Sequence, residues 1–141
     1  MIISIKSIKT ILCLALIIAF ATACGPPETI TTTITEEEFR QEEFLCQDNG
    51  LAVDFQPGKM VCSGELEGEQ VVIEIVAKVI DEKGQLEIQS FSRNGVQLPA
   101  EDFADLSAGL AQETTITPDE GYAITAVTIT DDELTIIESI K

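Results

Sequence analysis

Carboxylates and thiols are the side chains through which this chain would have to act on a substrate. Its 141 residues hold twenty-five Asp and Glu and four Cys, with one Tyr and neither His nor Trp. Two acids at the right separation suffice for glycoside hydrolysis, one protonating the leaving oxygen and the other acting as nucleophile or base. Here the acids gather in turns, at helix starts and at outward strand positions, where solvation accounts for them. Aromatic rings that would stack a sugar make up only 5% of the residues. Asp119-Glu120 and Asp131-Asp132-Glu133 are oxygen-rich turns of a kind that suits calcium, yet neither has the ligand spacing of an EF-hand loop. The chain carries no Gly-rich phosphate cradle, no nucleophile elbow, no Cys-x-x-Cys pair and no His/Cys metal spacing. The expectation is a non-enzymatic protein with neither cofactor nor metal.

The thiols point elsewhere. Lys6 and Lys9 give a basic start, an apolar run follows from Ile11 to Phe20, and Ala21-Thr22-Ala23-Cys24 closes the segment. A basic opening, an apolar core of about 7–15 residues and a small-residue cleavage site make a secretory signal. A bilayer crossing needs about 20 apolar residues, and this run is shorter. The small residues directly before Cys24 resemble the lipobox of bacterial lipoproteins, with Ala21 where that family most often has Leu. The resemblance implies cleavage before Cys24, a diacylglycerol thioether on its sulfur and an acylated amine. Several acyl chains give durable attachment where one gives only marginal binding. The expected location is therefore extracytoplasmic, anchored in the cell membrane or outer membrane. Gly25 follows the anchor, not the Asp that marks inner-membrane retention in two-membrane bacteria.

Two further inferences rest on that processing. Cys13 leaves with the signal and Cys24 carries lipid, so Cys46 and Cys62 remain to form one structural disulfide outside the cytoplasm. Loss of residues 1–23 also leaves six basic against twenty-five acidic side chains, a formal charge of −19. Such a chain is repelled by nucleic acid and by anionic headgroups. Nucleic acid is excluded as a partner.

The elements follow from periodicity. Residues 24–35 read as the lipidated cysteine and a Thr/Pro-rich tether, with the alternation Ile30, Thr32, Ile34 offering a first strand instead. Residues 36–141 read as a single domain. Thr35 and Glu38 have the spacing of a capping box and open a helix that ends by Asn49-Gly50. Strands are expected at 51–55, with Leu51, Val53 and Phe55 on one face, and around Met60 and Cys62. A long strand is expected over 70–81, a turn at Glu82-Lys83-Gly84, and a strand carrying Leu86, Ile88 and Ser90. Pro99 leads into a helix with Phe103, Leu106 and Leu110 on one stripe, where Ala104, Ala108 and Ala111 allow close packing. A hairpin about Asp131-Asp132 closes the chain. The fold class is α+β: a twisted antiparallel sheet, built as a four-strand meander plus a C-terminal hairpin, with two helices on one face.

Residues 84–137 carry a second resemblance. The stretch from Gly84 to Pro99 (GQLEIQSFSRNGVQLP), an amphipathic helix, and ITAVTITDDELTI over residues 124–136 are similar in layout to small secreted bacterial domains with a TULIP-like, lipid-binding-type fold. Asp132 stands where that hairpin usually has Gly. The resemblance implies an apolar groove between sheet and helix. Its lining would be Val71, Ile73, Ile75, Val79, Leu86, Ile88, Phe103, Leu106, Leu110, Val127, Ile129, Leu134 and Ile136. A domain of this size needs about as many buried apolar side chains for its own core, so the same residues also read as a closed interior. Two functions follow: binding a lipid or other apolar ligand, or binding an envelope protein through the acidic surface or an exposed sheet edge.

Overall fold

Apolar residues at every second position drive most of the chain into strands. The computed structural model describes residues 25–141; the signal segment, Cys13 and the Cys24 anchor lie outside the described residues. In chain order the elements are β1 (Thr29–Thr35), α1 (Glu36–Arg40), α2 (Leu45–Asp48), β2 (Ala52–Gln56), β3 (Lys59–Leu66), β4 (Glu69–Ile80), β5 (Lys83–Arg93), β6 (Val96–Gln97), α3 (Ala100–Glu113), β7 (Tyr122–Ile129) and β8 (Glu133–Ile140). The fold is α+β and every strand pairing is antiparallel.

The strands divide into two sheets. Strands β2-β3-β4-β5-β6 form a meander joined by tight turns, and β1-β8-β7 form a three-stranded sheet whose β7 packs on β4 and β5. The C-terminal hairpin does not extend the meander because the edge of β5 is already occupied. Gly84 and Ile116 exchange backbone bonds, Leu86 N–H donates to Thr114 Oγ1 at 2.9 Å, and Ile88 N–H donates to Ser107 Oγ at 3.1 Å. Helix α3 and the segment after it thus take the place of a next strand.

Residues 29–35, read as tether with a strand as the alternative, are β1 and belong to the domain. Thr32 and Ile34 point into the core and β8 supplies a complete ladder from Thr29–Ser139 to Thr35–Glu133. The capping box forms as expected, with Glu38 N–H donating to Thr35 Oγ1 and Thr35 N–H donating to Glu38 Oε2. The single helix expected before Asn49 is broken into α1 and α2, because Phe39 and Phe44 both turn inward and meet edge-to-face at 4.9 Å. Gln47 bridges the break by donating from Nε2 to the Phe39 carbonyl at 2.8 Å.

Three local expectations are corrected. The β4–β5 turn is Asp81-Glu82, both at positive φ, and Gly84 lies within β5 where a Cβ would meet Val127 Cγ2 at 3.0 Å. The glycine serves a close approach between sheets, not the turn. Opposite Glu74 and Ile75 the register of β5 slips at Gln89, a bulge that reverses which face the following residues point to. Ser90 consequently leaves the inner face and Phe91 takes it. Finally, Ala104 and Ala108 lie on the exposed side of α3, so they make no close helix contact; Phe103 and Leu110 bury its inner stripe.

Candidate binding cleft

An apolar hollow of about 280 Å³ opens where the start of α3 crosses the inner face of the meander. Its floor is Leu51, Ile73 and Phe91, with Leu45, Phe103 and the half-buried Leu66, Leu98 and Leu106 forming the walls. Each wall has a local cause. The bulge at Gln89 turns Phe91 inward, where its ring lies 6.3 Å from that of Phe103 with 24° between planes. The Cys46–Cys62 disulfide ties α2 to β3, with Cα atoms 5.9 Å apart, and so fixes Leu45 beside the sheet. Leu98 is held by its N–H donating to the Phe91 carbonyl at 2.8 Å.

The rim is polar: Asn49, Glu67, Arg93 and Asp102. Arg93 stacks over Phe91, its guanidinium carbon 5.7 Å from the ring centroid, and pairs with Glu69 at 3.2 Å. With that cation already matched, Glu67 and Asp102 leave the mouth acidic. The cleft would accept an apolar group and favour a positive charge beside it. Its lining holds no hydroxyl, thiol or imidazole, and its carboxylates, Glu67 and Asp102, stand at the rim.

Of the thirteen residues expected to line a groove, Ile73, Phe103 and Leu106 come together here. Leu86 and Leu134 border a separate apolar void of about 20 Å³ with Ile34, Phe39 and Ile116, too small for any ligand. Val71, Ile75, Ile88, Leu110, Ile129 and Ile136 are packed into the core, and Val127 is partly buried against it. Val79 is 38% exposed, because the β4–β5 hairpin projects beyond the layers packed on it and residues 78–83 are all exposed. No single groove runs along the thirteen positions. Leu45, Leu51, Leu66, Phe91 and Leu98 were not among the expected lining. Only the Gln-Leu-Pro signal before α3, which places Leu98 at a helix entry, hinted at one of them.

Four carboxylates outside the cleft have partners within the fold. Glu38 is held below the ordinary carboxylate range by the Thr35 backbone N–H and hydroxyl. Lys59 does the same for Glu74 at 2.6 Å, and Lys78 for Glu87 at 2.5 Å. Glu138 is 2% exposed and accepts the Asp119 N–H at 2.9 Å, which anchors the loop before β7. Among the described residues no three His, Cys, Asp or Glu side chains converge. No helix among them is long and apolar enough to cross a membrane. On the outer face of the meander, Glu74, Gln89, Ser90, Ser92 and Gln97 border a wide, shallow polar hollow. No family model, curated protein or solved structure matches this chain.

Proposed function

We propose that this chain is a lipid-anchored envelope protein, tethered at Cys24, that works by binding and not by catalysis. Its guest is an apolar group seated in the cleft between α3 and the meander. The observation that carries this reading is the cleft itself: eight apolar side chains around about 280 Å³, open to the surface and rimmed by charge. Ligand sites run from about 300 to 1,000 Å³, so the space suits a short acyl segment, a ring or a partner's side chain and not a whole two-chain lipid. A second reading has its own support. Because most of the expected groove is closed core, a protein partner meeting the acidic surface is the alternative user of the same mouth.

Among the described residues, 25–141, the strands and helices enclose one hydrophobic core, so this segment is the one to produce. Native mass spectrometry of residues 25–141, secreted through an oxidising compartment and purified without detergent, tests the reading. A retained apolar mass, lost in Leu106→Asp, supports it. A bare mass combined with no binding of the probe N-phenyl-1-naphthylamine overturns it and leaves the protein partner. Attachment is tested separately by metabolic labelling with an alkynyl fatty acid, which should mark the native chain and not Cys24→Ser.

A further inference from the structure

A sheet edge carries a row of unpaired N–H and C=O groups, and folded proteins normally occupy or blunt it. Three edges of this molecule are treated in that way. On β2, Phe55 N–H donates to Glu36 Oε2 at 2.7 Å and the Val53 carbonyl accepts from Arg40, whose guanidinium is itself paired with Glu36. On β5 the outward groups go to Ile116, Thr114 and Ser107, and β6 beyond Ser92 is only two residues long. On β7, Ile124 N–H donates to the Glu82 carbonyl and the Ile129 carbonyl accepts from Gly58.

Strand β1 is different. Glu36 N–H reaches the Asp132 carbonyl and the Glu28 carbonyl accepts from Ile140, so the even-numbered residues direct their backbone groups at β8. Antiparallel alternation then aims those of Thr29, Thr31 and Thr33 outward. Thr35 N–H, the next in that row, is already taken by Glu38. Among the described residues nothing accepts from or donates to the outward groups of Thr29, Thr31 and Thr33. The strand has no charge, no Pro and no bulge, and it consists only of β-branched residues.

Its order is also a palindrome: Thr29-Ile30-Thr31-Thr32-Thr33-Ile34-Thr35 reads the same in both directions. Any strand can meet its own copy antiparallel about a two-fold axis, and here the palindrome sets Thr against Thr and Ile against Ile at every pair. We propose that β1 pairs with β1 of a second copy about a two-fold axis at Thr32, joining two three-stranded sheets into one of six strands. Thr31 and Thr33 of each copy exchange both backbone bonds with Thr33 and Thr31 of the other, four in all. On the inner face Ile30, which is only half buried in one copy, comes to lie beside Ile34 of its mate. An axis at Thr31 would instead set Glu28 against Ile34, so the apolar pattern selects the register. In the selected register Glu28 faces Glu36, and added salt should strengthen the pairing.

Cysteine cross-linking of the full chain in its membrane tests this. One copy carrying Thr31→Cys is produced together with a differently tagged copy carrying Thr33→Cys, and a mild oxidant is added. The register sets these Cα atoms about 5.5 Å apart and two Thr31 positions about 7–8 Å apart, so the mixed pair should cross-link at least about fivefold better than either alone. Thr33→Pro removes one outward N–H and leaves the β8 ladder whole. Placed in the copy that carries Thr31→Cys, it should abolish the mixed cross-link to Thr33→Cys, and carried alone it should make the detergent-solubilised chain sediment as a monomer that still unfolds cooperatively. Thr31→Lys should do the same by charge. Equal cross-linking in all pairings, a stronger Thr31–Thr31 product, an adduct with a different polypeptide, or a monomer throughout overturns the proposal.

Discussion

At the scale of single residues, the clearest dependence is on the disulfide. Cys46 and Cys62 close a loop with a sequence separation of 16, and a loop of that length contributes roughly 3 kcal/mol in the chain-entropy model. The double change Cys46→Ser, Cys62→Ser should therefore lower the unfolding free energy by about that amount, read from denaturant melts with the slope fitted for each chain. Glu38 offers a titration test. Its carboxyl is depressed by the Thr35 hydrogen bonds, so its contribution is present above the unfolded value near 4.5 and is lost as pH falls through the lower folded value. The stability difference between the native chain and Glu38→Gln should persist at pH 6–7 and disappear in acid, as read by urea unfolding across pH. Both features were legible in the sequence: the disulfide by counting thiols, the capping box by its spacing. Phe91 was not, because a single bulge at Gln89 reverses the alternation and leaves no mark in residue type.

At the scale of elements, turns decide more than strands do. Asp81-Glu82 makes a two-residue hairpin turn with both residues at positive φ, the geometry that favours Asp-Gly. Glu82→Gly should stabilise the fold by about 0.5 kcal/mol, although it removes the exposed contact with Lys141; thermal unfolding checks this. Strand β1 carries the opposite expectation. A chain beginning at residue 36 loses seven ladder residues, leaves β8 as an open edge and uncovers the inner face at Leu134 and Ile136. It should aggregate or fail to give sharp amide spectra, where 25–141 folds. The meander, the hairpin and α3 were legible because each is local and periodic. The pairing of β1 with β8 joins residues about a hundred positions apart, and alternation alone cannot name a distant partner. The choice between a groove and a core was illegible for the same reason: both need the same apolar positions.

At the scale of the whole molecule, charge imbalance dominates. The full chain carries eight basic and twenty-five acidic residues, a net −17. Five ion pairs join side chains of the described residues, all at least partly exposed, and pairs of that kind contribute about 0–1 kcal/mol each. Repulsion among the unmatched acids should outweigh them. Raising sodium chloride from about 10 to about 300 mM, which shortens the screening length several-fold, should therefore raise the unfolding midpoint instead of lowering it. A fall in stability with salt would mean that the ion pairs prevail.

The hydroxyl of Tyr122 donates to the Pro27 carbonyl at 2.7 Å, and Ile140 N–H holds Glu28. With the lipid proposed at Cys24, the free leash runs over three residue steps, about 11 Å at full extension. A body this acidic on so short a leash has little freedom to tumble. Anchored in this way, it would stand close to the bilayer; two copies paired through β1 have their chain starts at opposite ends of the paired strands, so both leashes reach one membrane only if β1 lies along its surface. Whatever docks on it must approach along the membrane plane or from the side facing away.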